Sequence, residues 1–108
     1  MNSAAQLAYF YPKGHAAHAM AGHPESPERV ETIHTALEQM GWVNQFHHQE
    51  AVDLPRTFLE TVHHTAYLNL LEMSCRRGDG YLDSDTYFTS DSWMLALQAA
   101  GGALAVAQ

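Results

Sequence analysis

Hydrophobic positions recur at helical spacing in three stretches of this chain and gather into short apolar runs elsewhere. Val30, Ile33, Leu37 and Met40 step by three, four and three, which is one face of an amphipathic helix. Ser26 is placed to cap that helix, Pro27 suits its first position, Glu28 favours its start and Gly41 stops it. Tyr67, Leu68, Leu71 and Cys75 form a second stripe, in a helix expected over about residues 65–76. Trp93, Leu97, Ala100 and Leu104 form a third, with Thr89 or Ser90 as the cap and Asp91 in the first turn. A shorter helix is expected from Pro55, with Phe58, Leu59 and Val62 as its apolar side.

The apolar runs are of a different kind. LAYFY, residues 7–11, is short and aromatic and is closed by Pro12, which predicts a buried strand. FHHQEAV, residues 46–52, predicts a second strand. Residues 12–25 carry Pro, Gly and three histidines without periodicity and read as loop, and the Gly- and Asp-rich residues 76–87 read as an exposed loop. Gly101 and Gly102 stand inside the last helix, where each costs about 1 kcal/mol against Ala, so another backbone packs closely there or the helix is weak. The predicted order is strand, helix, strand and then three helices, an α/β chain with the opening unit of a parallel layer. Two strands alone leave open edges.

Composition narrows the partners. The 108 residues predict one domain, and a hydrophobic content of 46% is that of a folded chain. Five Lys and Arg against twelve Asp and Glu give a net charge of −7, which argues against nucleic acid and anionic membrane. No apolar run is long enough to span a bilayer, and the N-terminus lacks the pattern of a signal peptide, so a soluble, cytoplasmic protein is expected. The single cysteine, Cys75, reads as a small core residue.

The candidate chemistry rests on histidine and aspartate. His15, His18 and His23 share one loop and are the best metal candidates by composition, although loop histidines are more often solvated. His47 and His48 lie in an expected strand, which sends their side chains to opposite faces, one solvent-facing and one half-buried. His63 and His64 stand together before a helix, where acid–base catalysis would need a metal or nucleophile nearby. Asp83 and Asp85 sit in the Gly-rich stretch.

Four stretches, in order, resemble one family. GHPESPERVETI at 22–33, FLETVHHTAYLNLL at 58–71, LDSDTYFTSDS at 82–92 and ALQAAGGALAVA at 96–107 are together similar to the N-terminal third of the histone deacetylase superfamily, including acetoin-utilisation-type and acetylpolyamine deacetylases. The resemblance implies the N-terminal part of an arginase-like fold around a parallel sheet. It also implies an enzyme whose zinc ion activates water to cleave an acetyl-amide. The family's zinc ligands lie in an Asp-x-His stretch and a distant Asp, and its acid–base pair in a Pro-Gly-His-His stretch. This sequence contains neither stretch, and the resemblance places both after Gln108. No catalytic residue and no cofactor are therefore expected in this chain.

The resemblance also reassigns the candidates. His63 becomes the structural histidine of a VH-x-x-Y pattern, and His64 takes a cap position. The loop holding His23 becomes the rim of a deacetylase site. Asp85, with Asp83 as the second choice, matches a substrate-binding aspartate, although for these residues alone the reading favours acids that solvate a turn. Arg29 is expected in a structural ion pair. Three functions follow as expectations. The first is a non-catalytic module that self-associates as a dimer through Leu7, Phe10, Trp93 and Leu97. The second is one part of a split deacetylase, completed by a complementary chain. The third is a small His-rich metal binder.

Overall fold

The computed structural model describes residues 7–108. The expectation for the N-terminus begins on residues 1–6, which lie outside the described residues. Strand β1 (Ala8–Tyr9) runs parallel to β2 (His47–His48), with Ala8 opposite His47 and Tyr9 opposite His48. Helix α1 (Glu28–Gln39) is the crossover between them. Two short helices follow, α2 (Arg56–Leu59) and α3 (Thr65–Arg76), and then an antiparallel hairpin of β3 (Gly80–Asp83) and β4 (Thr86–Phe88). Helix α4 (Ser92–Ala107) completes the described chain.

The strand–helix–strand unit and the helices fall where the apolar spacing puts them. Helix α1 ends as Gly41 predicts. Gly41 has φ +77°, its N–H donates to Glu38 and the Trp42 N–H donates to Leu37, which is a Schellman closure of the last turn. Its start differs by one residue: Pro27 precedes the helix, and neither it nor Ser26 supplies a side-chain cap. The Ser26 carbonyl instead accepts from the Arg29 N–H. Helix α3 matches its expected span. Leu68 and Cys75 are buried as its stripe requires, whereas Tyr67 faces outward. His64 does precede α3, through its backbone alone.

Three readings change. The stretch over 76–87 is not a loop but largely the β3–β4 hairpin, with Tyr87 only 4% exposed. The apolar pairs Tyr81-Leu82 and Tyr87-Phe88 flank the polar run Asp83–Thr86, a hairpin signal that the Gly and Asp content hides. The strand at 7–11 is shorter than LAYFY and is not buried: Leu7 and Ala8 are exposed. His47 and His48 are both exposed, so neither is the half-buried one expected, although His48 bonds the Val43 carbonyl and meets the Tyr9 ring edge-on.

The Gly101-Gly102 pair marks a close backbone approach. The Gly101 carbonyl accepts from the Val52 N–H at 3.2 Å, and a Cβ on Gly101 would sit 2.2 Å from the Val52 carbonyl oxygen. A Cβ on Gly102 would lie 2.2 Å from the Phe10 ring. The buried side of α4 is Gly101, Gly102 and Ala105, and the expected face of Trp93, Leu97, Ala100 and Leu104 flanks it in half-buried positions. At the other end Arg56 joins three helices. It donates to Glu72 and Asn69 of α3 and lies 5.6 Å from the Trp93 ring of α4.

Candidate functional site

Loop 12–25 is held against the hairpin and the start of α4 by a small set of polar and aromatic side chains. The Tyr87 hydroxyl donates to the carbonyls of His18 and Glu25, and the Thr89 hydroxyl donates to the carbonyl of Ala17. The His18 ring stacks on Tyr87 with centroids 4.5 Å apart, and the His23 ring meets the same tyrosine edge-on at 4.8 Å. Burial, and then the Glu25 carboxylate, hold the Tyr87 hydroxyl above the usual phenol range, so it stays protonated and able to donate. Tyr87 and Thr89 carry this clamp. Tyr87 lies in the stretch whose turn residues read as loop, and Thr89 has a sequence signal only as a helix cap.

The candidate substrate-binding residues do come together at the hairpin tip. His23 Nε2 donates to the Asp85 carbonyl at 2.9 Å and lies 3.3 Å from its carboxylate. His23 Nδ1 accepts from the Glu25 N–H. The Asp85 N–H donates to the Asp83 carboxylate at 2.9 Å, an Asx turn. That bond, followed by the Thr86 side chain, holds the Asp83 carboxyl below the usual carboxylate range. The Asp85 carboxylate is 87% exposed, open to solvent above the turn.

The loop histidines are spent on other partners. His15 Nδ1 donates to the Pro12 carbonyl, and its Nε2 lies 3.1 Å from Glu31 without forming a hydrogen bond. His18 Nδ1 lies 2.6 Å from Ser92 Oγ, and both His23 nitrogens are occupied. Among the described residues no three His, Cys, Asp or Glu side chains gather as a metal site. The donor set does not fit the family's zinc ion, which needs three converging protein ligands and an open position. His63 and His64 are exposed, with His63 tilted against Tyr67 at 5.8 Å, and no carboxylate or metal-ligating cluster accompanies them. His34, which was not singled out, replaces Ile33 on the covered side of α1 because its Nδ1 bonds the Tyr9 hydroxyl at 2.6 Å.

Beneath the clamp lies a cavity of about 550 Å³, within the range of small-molecule sites. Its wall is mostly apolar, with Val30, Leu71, Trp93 and Leu95 among its members, and His18, Tyr87 and Ser92 on its polar side. Glu25 is the one carboxylate in its lining, and no lysine or arginine is there.

Of the expected interface residues, Leu7 is 63% exposed. Phe10 is half-buried beneath Gly102, and Trp93 is half-buried beside Arg56. Leu97 is half-buried on α4. No helix among the described residues is long and apolar enough to cross a membrane.

Comparison with known proteins agrees with the resemblance. A family model of the histone deacetylase domain matches residues 23–108. A probable deacetylase from Methanothermobacter thermautotrophicus is 32% identical over 91 residues, which are 84% of this chain and 27% of that protein. The chain thus spans little more than a quarter of the length of the curated relative it matches. The matched region contains the GHPE turn from His23 onward, α1, the VHHTAY stretch, the hairpin and α4. On these grounds the chain belongs to the histone deacetylase domain family.

Proposed function

We propose that this chain is a structural segment of the deacetylase fold, with no zinc amidase centre of its own, and that it covers its apolar faces by pairing with a second copy. One observation carries the reading: too much apolar surface is open. The accessible surface is 7709 Å², against about 6,000 Å² for a compact monomer of this mass. Ile33, Trp42, Val62, Leu70 and Met94 are each at least half exposed. The open excess exceeds the roughly 800 Å² per partner of a standard interface. Among the described residues strand β1 pairs with β2 alone, so an unpaired sheet edge accompanies the apolar surface. A symmetric pair through Leu7, Phe10 and the α4 face of Trp93 and Leu97 covers the sheet edge and the exposed Leu7 beside it. Light scattering across a dilution series tests this. A dimer mass is expected at micromolar concentration, and a monomer at every concentration refutes it.

The matched fraction of the relative supports a second occupant for the same faces, a complementary chain that carries the zinc ligands and the acid–base pair. In that arrangement loop 12–25 and the hairpin tip, with His23 and Asp85, form the rim of an acetyl-amide hydrolase, acting on acetyl-lysine or acetylpolyamine. A heterodimer in the same experiment, formed at the expense of the homodimer, distinguishes the two.

A further inference from the structure

We infer that His18 and Ser92 form a nucleophilic dyad, and that the cavity beside them admits neutral esters with apolar acyl groups for hydrolysis. The two residues are 74 positions apart, on loop 12–25 and at the first position of α4, yet the fold brings Ser92 Oγ to 2.6 Å from His18 Nδ1. This is the hydrogen bond a serine nucleophile needs with its base. The base is held in place: its ring stacks on Tyr87, whose hydroxyl fixes the His18 carbonyl. The nucleophile is held as well, since Ser92 Oγ accepts from the Thr89 N–H at 2.8 Å. Both side chains line the 550 Å³ cavity, so a reacting carbonyl has room next to them.

The surroundings set the substrate class. The Trp93 N–H follows Ser92 directly and has no backbone partner among the described residues, as the first turn of a helix leaves its donors free. It is the donor for a developing oxyanion, the arrangement in which the residue after the nucleophile supplies the N–H. With Glu25 as the one carboxylate in the lining and no lysine or arginine there, an anionic substrate is disfavoured, and the apolar wall accepts an alkyl or aryl acyl chain.

The step balances with water as co-reactant. Ser92 Oγ bonds to the ester carbonyl carbon as its proton passes to His18 Nδ1. The carbon–alkoxy bond then breaks, and the leaving oxygen takes that proton and departs as the alcohol. Water adds to the acyl-serine and gives a proton to His18. The acid leaves, and that proton returns to Ser92 Oγ.

The test uses the chain as it stands, treated with a fluorophosphonate probe and mapped by mass spectrometry, alongside turnover of p-nitrophenyl butyrate. One adduct per chain on Ser92 is expected, and His18→Ala should slow ester turnover by about 100-fold or more, the usual contribution of a general base. An adduct elsewhere, or no adduct on Ser92, overturns the assignment. So does equal turnover by Ser92→Ala. The adduct map on the unaltered chain gives its answer even if Ser92→Ala fails to fold.

Discussion

At the scale of single residues, Tyr87 does most to join the parts of the molecule. Its hydroxyl shares one proton between two carbonyls of loop 12–25 while its ring carries the two histidines. Tyr87→Phe keeps the ring and leaves both carbonyls without that donor. A loss of about 1–3 kcal/mol in urea denaturation at neutral pH is expected. The raised pKa of Tyr87 also sets a pH signature. A group whose pKa is higher folded than unfolded contributes stability below its unfolded value, about 10, and loses it as pH rises through the folded value. Melting temperatures of the parent chain should therefore fall more steeply than those of Tyr87→Phe as pH rises above about 10.

At the scale of elements, the crossing of α4 over β1 and the segment after β2 depends on two absent side chains. Helix propensity alone favours alanine at Gly101 by about 1 kcal/mol. The packing opposes it, because the new Cβ would lie 2.2 Å from a backbone oxygen that cannot rotate away. Overpacking costs typically 1–3 kcal/mol, so the clash wins. Gly101→Ala should lower the thermal midpoint measured by circular dichroism, whereas a helix free of that contact would be stabilised by the same change. The hairpin teaches the opposite lesson. Its turn residues advertised a loop, and only the burial of Tyr87 against loop 12–25 reveals which side of the strands is inside.

At the scale of the whole molecule, the chain is a thin plate of 50 × 35 × 17 Å. Its radius of gyration is 16.1 Å, against about 13 Å for a compact domain of this length. A plate this thin has almost no interior: Leu68, Cys75, Tyr87 and Ala105 are the buried hydrophobic residues among those described. If pairing covers its faces, folding and association are linked. The urea midpoint should then rise with protein concentration over a hundredfold range, and a midpoint independent of concentration counts against self-association.

By itself the sequence determined the helices, the parallel strand–helix–strand unit and the family. Each is written in local spacing or in short ordered stretches: the steps along α1, the Gly41 stop, the VHHTAY and GHPE patterns. It also exposed the Gly101-Gly102 pair as a place of close approach, since glycine inside a helix is unfavourable without a packing reason. Asp85 and His23 were singled out separately through the family pattern, and only the fold brings them into contact at the hairpin tip. Tertiary structure alone decided the rest. Whether a histidine is free or engaged depends on groups far along the chain, as with His18 and Ser92, or His34 and Tyr9. Which apolar residues are covered depends on how many layers the fold stacks, and periodicity, which gives each helix a face, carries no information about whether anything lies against it.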